Sequence, residues 1–282
     1  MMRSEPSSPD IYAMPEVWDQ QAVDYEAFAH PLTRQFAEQA LILSGGVSPG
    51  EQVLDIAAGT GALTLTAAKA GAQVTGIDFS KGMVALLNAR LAEGGFHSSK
   101  AHVMDGQALD LADEAFDAAF SIFGVVLFPD WRAGLAELGR VVRPGGRGCI
   151  AVWTQAAGAG PALAMDAAYR ASFPDRPPPN PAPGLLVLKS PDALISEMSR
   201  VGFTNVDVHP VTGVWQADSP ARALEQVECF FSRFPAYAEL SARERGQMRE
   251  ALGDEFDRHM VEGQVTIPSE AYVATGVKVR TP

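Results

Sequence analysis

The fold is constrained most by one segment, Val53-Leu54-Asp55-Ile56-Ala57-Ala58-Gly59-Thr60-Gly61-Ala62-Leu63-Thr64. Its pattern predicts a buried strand that runs into a glycine-rich turn and then into the N-terminus of a helix. In open α/β sheets, ligands bind at this place, outside the carboxyl ends of the strands. Glycines let the backbone approach a ligand closely, and the free N–H groups of a helix N-terminus favour a carboxylate or a phosphate. The segment therefore predicts a ligand site.

The same strand and helix alternation continues along the chain and predicts a parallel sheet with helices on both faces. Helices are expected at 15–29, 31–43, 62–70, 80–92, 131–142, 163–173, 190–202, 220–234 and 241–261. Strands are expected at 53–57, 73–77, 101–104, 116–123, 148–153, 205–214 and 271–279. The segment 154–188 breaks the alternation, because the prolines between Asp175 and Pro181 suit neither a helix nor an inner strand.

Composition excludes several classes of protein. Apolar residues make up 47% of the 282 residues, which excludes global disorder. The net charge of −12 argues against nucleic acid or an anionic membrane as a partner, since both require a positive surface. Two cysteines are too few for a disulfide scaffold, and the five histidines lack metal-ligand spacing, so we expect no metal site. A cytoplasmic location and no transmembrane helix are the expectation.

The acidic residues around the glycine-rich turn narrow the choice of ligand. Asp78 follows Gly59 by nineteen residues, at the end of the second predicted strand, where an acid can accept both hydroxyls of a ribose. A dinucleotide fingerprint would need a third glycine where Thr64 stands, and a pyrophosphate would be repelled by Asp55. Asp55 suits a ligand with an ammonium group instead. S-adenosylmethionine (SAM) combines an amino acid end, a ribose and an adenine.

Five segments in register resemble the class I SAM-dependent methyltransferases, in particular the small-molecule branch with the ubiquinone and menaquinone C-methyltransferases. These segments are 55–61, 74–80, 104–109, 121–123 and 143–146. The resemblance extends from about Trp18 to Val279. It implies a Rossmann-like α/β fold with a seven-stranded sheet, the last strand antiparallel and inserted between the fifth and sixth, helices on both faces and a helical cap.

The sequence pattern and the resemblance together imply a division of the chain, and the resemblance implies a cofactor site. The parts would be a flexible arm at 1–14, lid helices at 15–46, a SAM-binding core at 47–153, an insertion at 154–189, and the rest of the core at 190–282 with a substrate cap at about 217–262. Asp78 would bind the ribose, Asp105 the adenine amino group, and Phe79 and Met83 would lie beside the adenine. The full set of implied cofactor contacts is Tyr25, Arg34, Asp55, Ala57, Gly59, Thr60, Gly61, Asp78, Phe79, Met83, Asp105, Gly106, Gln107 and Ser121.

The methyl acceptor would be a small metabolite, and its pocket is expected in the segments outside the regular alternation. Aromatic residues that could line this pocket are Trp153, Phe230, Phe231 and Phe234, although plain helix packing explains aromatics at such spacing equally well. His30 is the one candidate general base. Oxygen, carbon and nitrogen acceptors stay open. The alternatives are a SAM-binding protein that does not methylate, such as a cyclase or a regulatory protein, and a nicotinamide oxidoreductase, which Thr64 and Asp55 disfavour.

Overall fold

A computed structural model describes residues 13–232 and 234–279. The expected flexible arm at 1–14 therefore lies almost entirely outside the described residues. The described chain forms one sheet with the strand order β3-β2-β1-β4-β5-β8-β6, and β7 pairs with β8 beside it. The strands are β1 Gln52–Ile56, β2 Gln73–Asp78, β3 Lys100–Val103, β4 Phe116–Ile122, β5 Val142–Trp153, β6 Phe203–Ala217, β7 Met260–Val261 and β8 Gln264–Lys278.

Helices cover both faces of this sheet. Strand side chains alternate between the faces, so that Val53 packs into the core under α2 and α3 while Leu54 packs into the core under α5 and α8. The helices are α1 Pro15–Phe28, α2 His30–Leu43, α3 Ala62–Lys69, α4 Lys81–Glu93, α5 Trp131–Val141, α6 Pro161–Ser172, α7 Pro183–Leu188, α8 Pro191–Arg200, α9 Pro220–Phe231, α10 Pro235–Ala238 and α11 Ala242–Arg258. Within the described ranges, no helix is long and apolar enough to cross a bilayer.

The last strands of the chain have the predicted topology. Strands β1 to β5 pair in parallel, and β8 lies antiparallel between β5 and β6. The prediction of an antiparallel last strand between the fifth and sixth strands is confirmed.

The last strand is longer than expected. It begins at Gln264 rather than 271, because a tight hairpin joins it to β7. Glu262 and Gly263 both have positive φ, 49° and 86°, as in a two-residue hairpin turn. The predicted helix at 241–261 is wrong at its C-terminal end for the same reason, and α11 ends at Arg258.

Two other boundaries differ from the sequence prediction. The fifth strand was expected to begin at 148, but β5 begins at Val142 and contains the Arg143-Pro144-Gly145-Gly146 segment. There it forms an irregularity of the sheet: Phe116 pairs with Val142, and the register resumes only where Ala118 pairs with Arg147. In the irregular segment 154–188, the residues Pro183–Leu188 form the short helix α7, whose buried Leu185 and Leu188 join the core.

A cap stands over the carboxyl ends of the strands. Beyond the end of β5, β6 and β8 continue as a two-stranded ribbon that pairs Thr212 with Glu270 through Ala217 with Val265. The ribbon packs against α2, and α6, α9 and α11 pack together beside it. The N-terminal helix α1 contacts both α4 of the core and α9 of the cap. It therefore lies between the two parts of the molecule.

Candidate functional site

The first predicted acid, Asp55, lies near the end of β1 in the glycine-rich region. Its side chain is buried, and its Oδ2 accepts hydrogen bonds from the backbone N–H (3.1 Å) and the hydroxyl (2.7 Å) of Thr64. Burial raises the pKa of Asp55 to about 7, although the Thr64 hydrogen bonds oppose this shift. Thr64, which departs from the dinucleotide fingerprint, therefore holds the carboxylate that the ligand would meet.

The turn itself requires glycine. Gly61 has φ +96°, and a Cβ atom there would lie 2.3 Å from Leu87 Cδ1. At Gly59 (φ +53°), the nearest atom to a built Cβ is Cε1 of Tyr25, at 3.7 Å. The exposed side of the turn therefore faces α1, which carries Tyr25.

The second predicted acid, Asp78, ends β2 next to this turn. Its Oδ2 accepts from the backbone N–H of Gly59 and its Oδ1 from that of Ser80, both at 2.9 Å. Burial raises the pKa of Asp78 to about 6, and the backbone hydrogen bonds limit the rise. The parallel pairing of β1 with β2 thus brings two buried carboxylates to one edge of the sheet.

The remaining predicted cofactor residues lie at the ends of neighbouring strands. Asp105 is exposed after β3, and its Oδ1 accepts from the backbone N–H of Gln107 at 2.9 Å. Ser121 near the end of β4 donates its hydroxyl to the carbonyl of Ile56 at 2.9 Å and accepts from Val125 N–H at 3.0 Å. Phe79 is half-buried, whereas Met83 and Gly106 are buried.

A small cavity of about 20 Å³ lies at this edge. That volume suits about one water, whereas small-molecule sites measure roughly 300–1,000 Å³. The cavity is therefore too small for a nucleoside-sized ligand in the arrangement described. The lining residues are Tyr25, Thr33, Asp55, Ala57, Ala58, Thr60, Ala62, Leu63 and Ile122.

Two contacts hold α1 on the core, and sequence reasoning missed both. Near its start, Asp19 Oδ1 accepts from the Ser80 hydroxyl (2.7 Å) and from Gly82 N–H (2.9 Å), at the N-terminus of α4. Near its end, Glu26 pairs with Arg90 of α4 at 2.7 Å, and Arg90 also donates to the carbonyl of Thr60 at 2.7 Å. Arg90 therefore links the lid helix to the glycine-rich turn.

His30, the candidate general base, joins the second contact. Its Nδ1 lies 3.0 Å from the Thr60 hydroxyl, 3.3 Å from Arg90 Nη1 and 3.4 Å from Glu26 Oε2. Burial and then the charge of Arg90 lower the pKa of His30 to about 4. Arg34, by contrast, is exposed and pairs with Glu38 at 3.8 Å, so it does not line the cavity.

The predicted acceptor residues fall into two aromatic clusters. In the first, Phe230 stacks on Phe28 with 4.6 Å between ring centroids and lies 6.1 Å from Tyr25. Phe231 and Phe234 lie 5.0 and 5.5 Å from Phe230. This cluster joins the cap to α1.

The second cluster contains Trp153, at the end of β5. Its ring stacks on that of Phe123 at 3.5 Å, and Phe36 of α2 packs edge-on against both. Phe123 directly follows β4 and has φ +65°, a backbone conformation that is unusual for a bulky residue and concentrates at functional sites. The sequence analysis placed Phe123 in the family-like segment 121–123 but did not name it among the contact residues.

Known proteins resemble this chain in sequence and in fold. Residues 53–146 match a family described as "Methyltransferase domain". An uncharacterized protein of Mycobacterium tuberculosis is 39% identical over 140 residues, which cover 50% of this chain and 51% of that protein. A demethylmenaquinone methyltransferase of Corynebacterium efficiens is 44% identical over 105 residues, covering 37% and 43%. The chain thus matches about half or less of the length of these relatives.

Solved structures share the fold at low sequence identity. The YcgJ protein from Bacillus subtilis aligns with a TM-score of 0.56 at 16% identity and covers 88% of this chain and all of its own. The protein BH2331 from Bacillus halodurans aligns with a TM-score of 0.57 at 13% identity, covering 86% of this chain and 99% of its own. The predicted Rossmann-like fold and the resemblance to the quinone methyltransferases are confirmed.

Proposed function

We propose that this chain, whose residues 53–146 form a methyltransferase domain, transfers a methyl group from SAM to a small-molecule acceptor. The observation that carries the proposal is the pair of buried carboxylates, Asp55 and Asp78, on either side of a glycine turn with positive φ. Two such carboxylates suit a nucleoside with a cationic amino acid end, since one can accept the ribose hydroxyls and the other can attract the cation. The absence of a third glycine and the charge of Asp55 disfavour a dinucleotide.

The donor set fits SAM. Asp78 would accept the ribose hydroxyls, Asp55 would attract the ammonium group directly or through water, and Asp105 would accept the adenine amino group. Phe79 and Met83 would lie beside the adenine, and Tyr25 would cover the methionine end. The other proposed contacts are Ala57, Gly59, Thr60, Gly61, Gly106, Gln107 and Ser121, with Arg34 approaching only if α2 shifts.

Bound SAM supplies a methyl group that is electrophilic because it is attached to a sulfonium. The chain's own contribution would then be to hold the acceptor in line with that methyl group and to exclude water. The two contacts of α1 with α4 serve this purpose, since they close the lid over the turn. We assign His30 to this closure, because its neighbours are Thr60, Arg90 and Glu26.

The acceptor would bind on the cap side of Tyr25. Phe230, Phe231, Phe234 and Trp153 offer apolar rings for a small aromatic or apolar metabolite in the cytoplasm. The relatives named demethylmenaquinone methyltransferases make a quinol-type acceptor the first to test. In this proposal the lid is 15–46, the SAM-binding core 47–153, the insertion 154–189, and the substrate cap about 217–262 within 190–282.

The test has two stages. Titration calorimetry with S-adenosylhomocysteine should show one site, and its absence would contradict the cofactor assignment. Incubation with SAM and a panel of quinols, phenols and amines should then give a product heavier by one methylene, detected by mass spectrometry together with S-adenosylhomocysteine.

A non-methylating SAM-binding protein is the second candidate, because the [4+2]-cyclase SpnF shares the fold with a TM-score of 0.51 at 19% identity. Tight cofactor binding with no S-adenosylhomocysteine formed from any acceptor would favour it. Cofactor binding alone does not separate the two functions, whereas methyl transfer does.

A further inference from the structure

One buried polar atom between the lid and the cap has no partner among the described residues. Gln21 of α1 is fully buried. Its Nε2 donates to the carbonyl of Phe230 at 3.1 Å, near the end of α9. Because a carbonyl oxygen can only accept a hydrogen bond, the amide nitrogen of Gln21 must face Phe230. The amide oxygen, Oε1, therefore takes no part in this contact. No described group donates a hydrogen bond to Gln21 Oε1.

A buried hydrogen-bond acceptor without a donor lowers the free energy of unfolding, unless another molecule supplies the donor. Two aromatic residues lie on the same face of α1: Tyr25 and Phe28 follow Gln21 by four and seven residues, and both contact Phe230. The helix α9 carries a second buried oxygen without a donor, Gln226 Oε1.

The position of Gln21 relates this atom to the reaction. Gln21 lies one helical turn, about 6 Å along the axis, from Tyr25. Tyr25 in turn contacts the glycine-rich turn at Gly59 on one side and Phe230 on the other. A molecule held at Gln21 among these rings would therefore lie within reach of the methyl donor.

We propose that Gln21 Oε1 accepts a hydrogen bond from a hydroxyl or N–H group of the methyl acceptor and so selects a planar, apolar molecule that carries one protic group. This inference rests on the proposed function, since the acceptor is taken to bind next to SAM. The lid would open for the acceptor and close with Gln21 hydrogen-bonded to it. A site built to bond a donor rejects analogues that lack the donor, because its polar atom is then left unpaired.

The test measures how strongly the full chain prefers a hydroxyl. The probes are phenol and 2-naphthol, each paired with its methyl ether, and dissociation constants are measured with S-adenosylhomocysteine saturating. Wild type should bind a hydroxyarene about tenfold more tightly than its ether, on the scale of one buried hydrogen bond. The variant Gln21→Met should reduce this preference to within twofold and leave the affinity for S-adenosylhomocysteine unchanged.

A matched control is available on α2. Gln35 uses both ends of its amide on the backbone of Val214, at 2.8 and 3.0 Å, so Gln35→Met should keep the full preference for the hydroxyl. Gln21→Leu also lacks an acceptor oxygen and should lose the preference, which provides a second variant if Gln21→Met does not fold.

The outcomes separate the two proposals. If S-adenosylhomocysteine does not bind to wild type, the proposed function fails. If it binds but wild type shows no preference for the hydroxyl in either pair, or Gln21→Met keeps the preference, the role of Gln21 is overturned.

Discussion

The cofactor edge and the cap are built in opposite ways. At the edge, short chain segments and backbone N–H groups position two carboxylates: Asp55 bonds Thr64, nine residues away, and Asp78 bonds Gly59 and Ser80. In the cap, aromatic rings from helices far apart in the sequence pack against one another, as Phe28 and Phe230 do. A site made from local backbone is preformed, whereas a site made from packed rings can rearrange when a lid moves. Changes at the edge should therefore alter cofactor affinity, and changes in the cap should alter stability and acceptor use.

The largest effect is expected from Phe230→Ala. Removing this buried ring should lower the free energy of unfolding by about 3–5 kcal/mol, because a cavity replaces its contacts with Phe28 and Tyr25. Denaturant unfolding measures this loss. Leu194→Ala, on the opposite face of the sheet, is the matched control and should also destabilise.

Acceptor use should then separate these two variants. Phe230→Ala should raise the acceptor KM, Leu194→Ala should not, and both should bind SAM with wild-type affinity. Equal KM values in the two variants would make Phe230 a packing residue only.

Asp78→Ala should instead change the affinity for SAM. Loss of a charge-assisted hydrogen bond with its partners left unpaired should weaken SAM binding by about 1.5–3 kcal/mol, measured by calorimetry. Asp130→Ala removes a comparable contact, to Ala133 N–H at the start of α5, and should leave SAM affinity unchanged. Unchanged affinity in a folded Asp78→Ala protein would refute the cofactor assignment.

The pH dependence of SAM affinity should report Asp55. Its pKa of about 7 means that the carboxyl is mostly neutral at pH 5.5 and mostly charged at pH 7.5. Because the ammonium group of SAM favours the charged form, affinity should rise about tenfold across this interval. Asp55→Asn should flatten the part of the profile centred near pH 7, leaving the weaker contribution of Asp78 nearer pH 6. A wild-type profile without any slope would contradict a direct role for both acids.

The smallest effect concerns the contact between the lid and α4. Glu26→Gln weakens the pair with Arg90, which should favour the open lid by about 1 kcal/mol. Association and dissociation of SAM should both become about fivefold faster, with little change in the dissociation constant, as measured by stopped-flow fluorescence. Glu38→Gln, which removes the exposed pair with Arg34, should change neither rate. Unchanged rates in both variants would show that Glu26 does not limit entry.

The SAM-binding core could be predicted because the residues that indicate it lie close together in the sequence. Asp55, Gly59, Gly61 and Asp78 lie within 24 residues, and the alternation of strands and helices places them at one edge without further information. The antiparallel position of the last strand, in contrast, came from the family resemblance and not from the local pattern.

The lid contacts could not be predicted in this way. Asp19 and Ser80 are 61 residues apart, Glu26 and Arg90 are 64 apart, and Gln21 and Phe230 are 209 apart. Asp19, Gln21 and Glu26 each suit an exposed helix when they are considered alone. Only the packing of α1 against α4 and α9 makes them part of a site. The hairpin turn at Glu262-Gly263 could have been predicted, because a residue pair that ends in glycine between two apolar segments is a local signal for such a turn.

The pairing of Gln35 with Val214 has a consequence for how copies of this chain meet one another. Strand β6 is the outer strand of the sheet and is 15 residues long, and an uncovered edge of that length is a template for pairing with another molecule. At Val214 the partner within the sheet is Pro268, which has no N–H group, so the backbone N–H and carbonyl of Val214 turn outward to the Gln35 amide. That amide occupies the place of a neighbouring strand. Displacing α2 from β6 would uncover this stretch of edge, so we expect variants that weaken the packing of α2 to aggregate more readily.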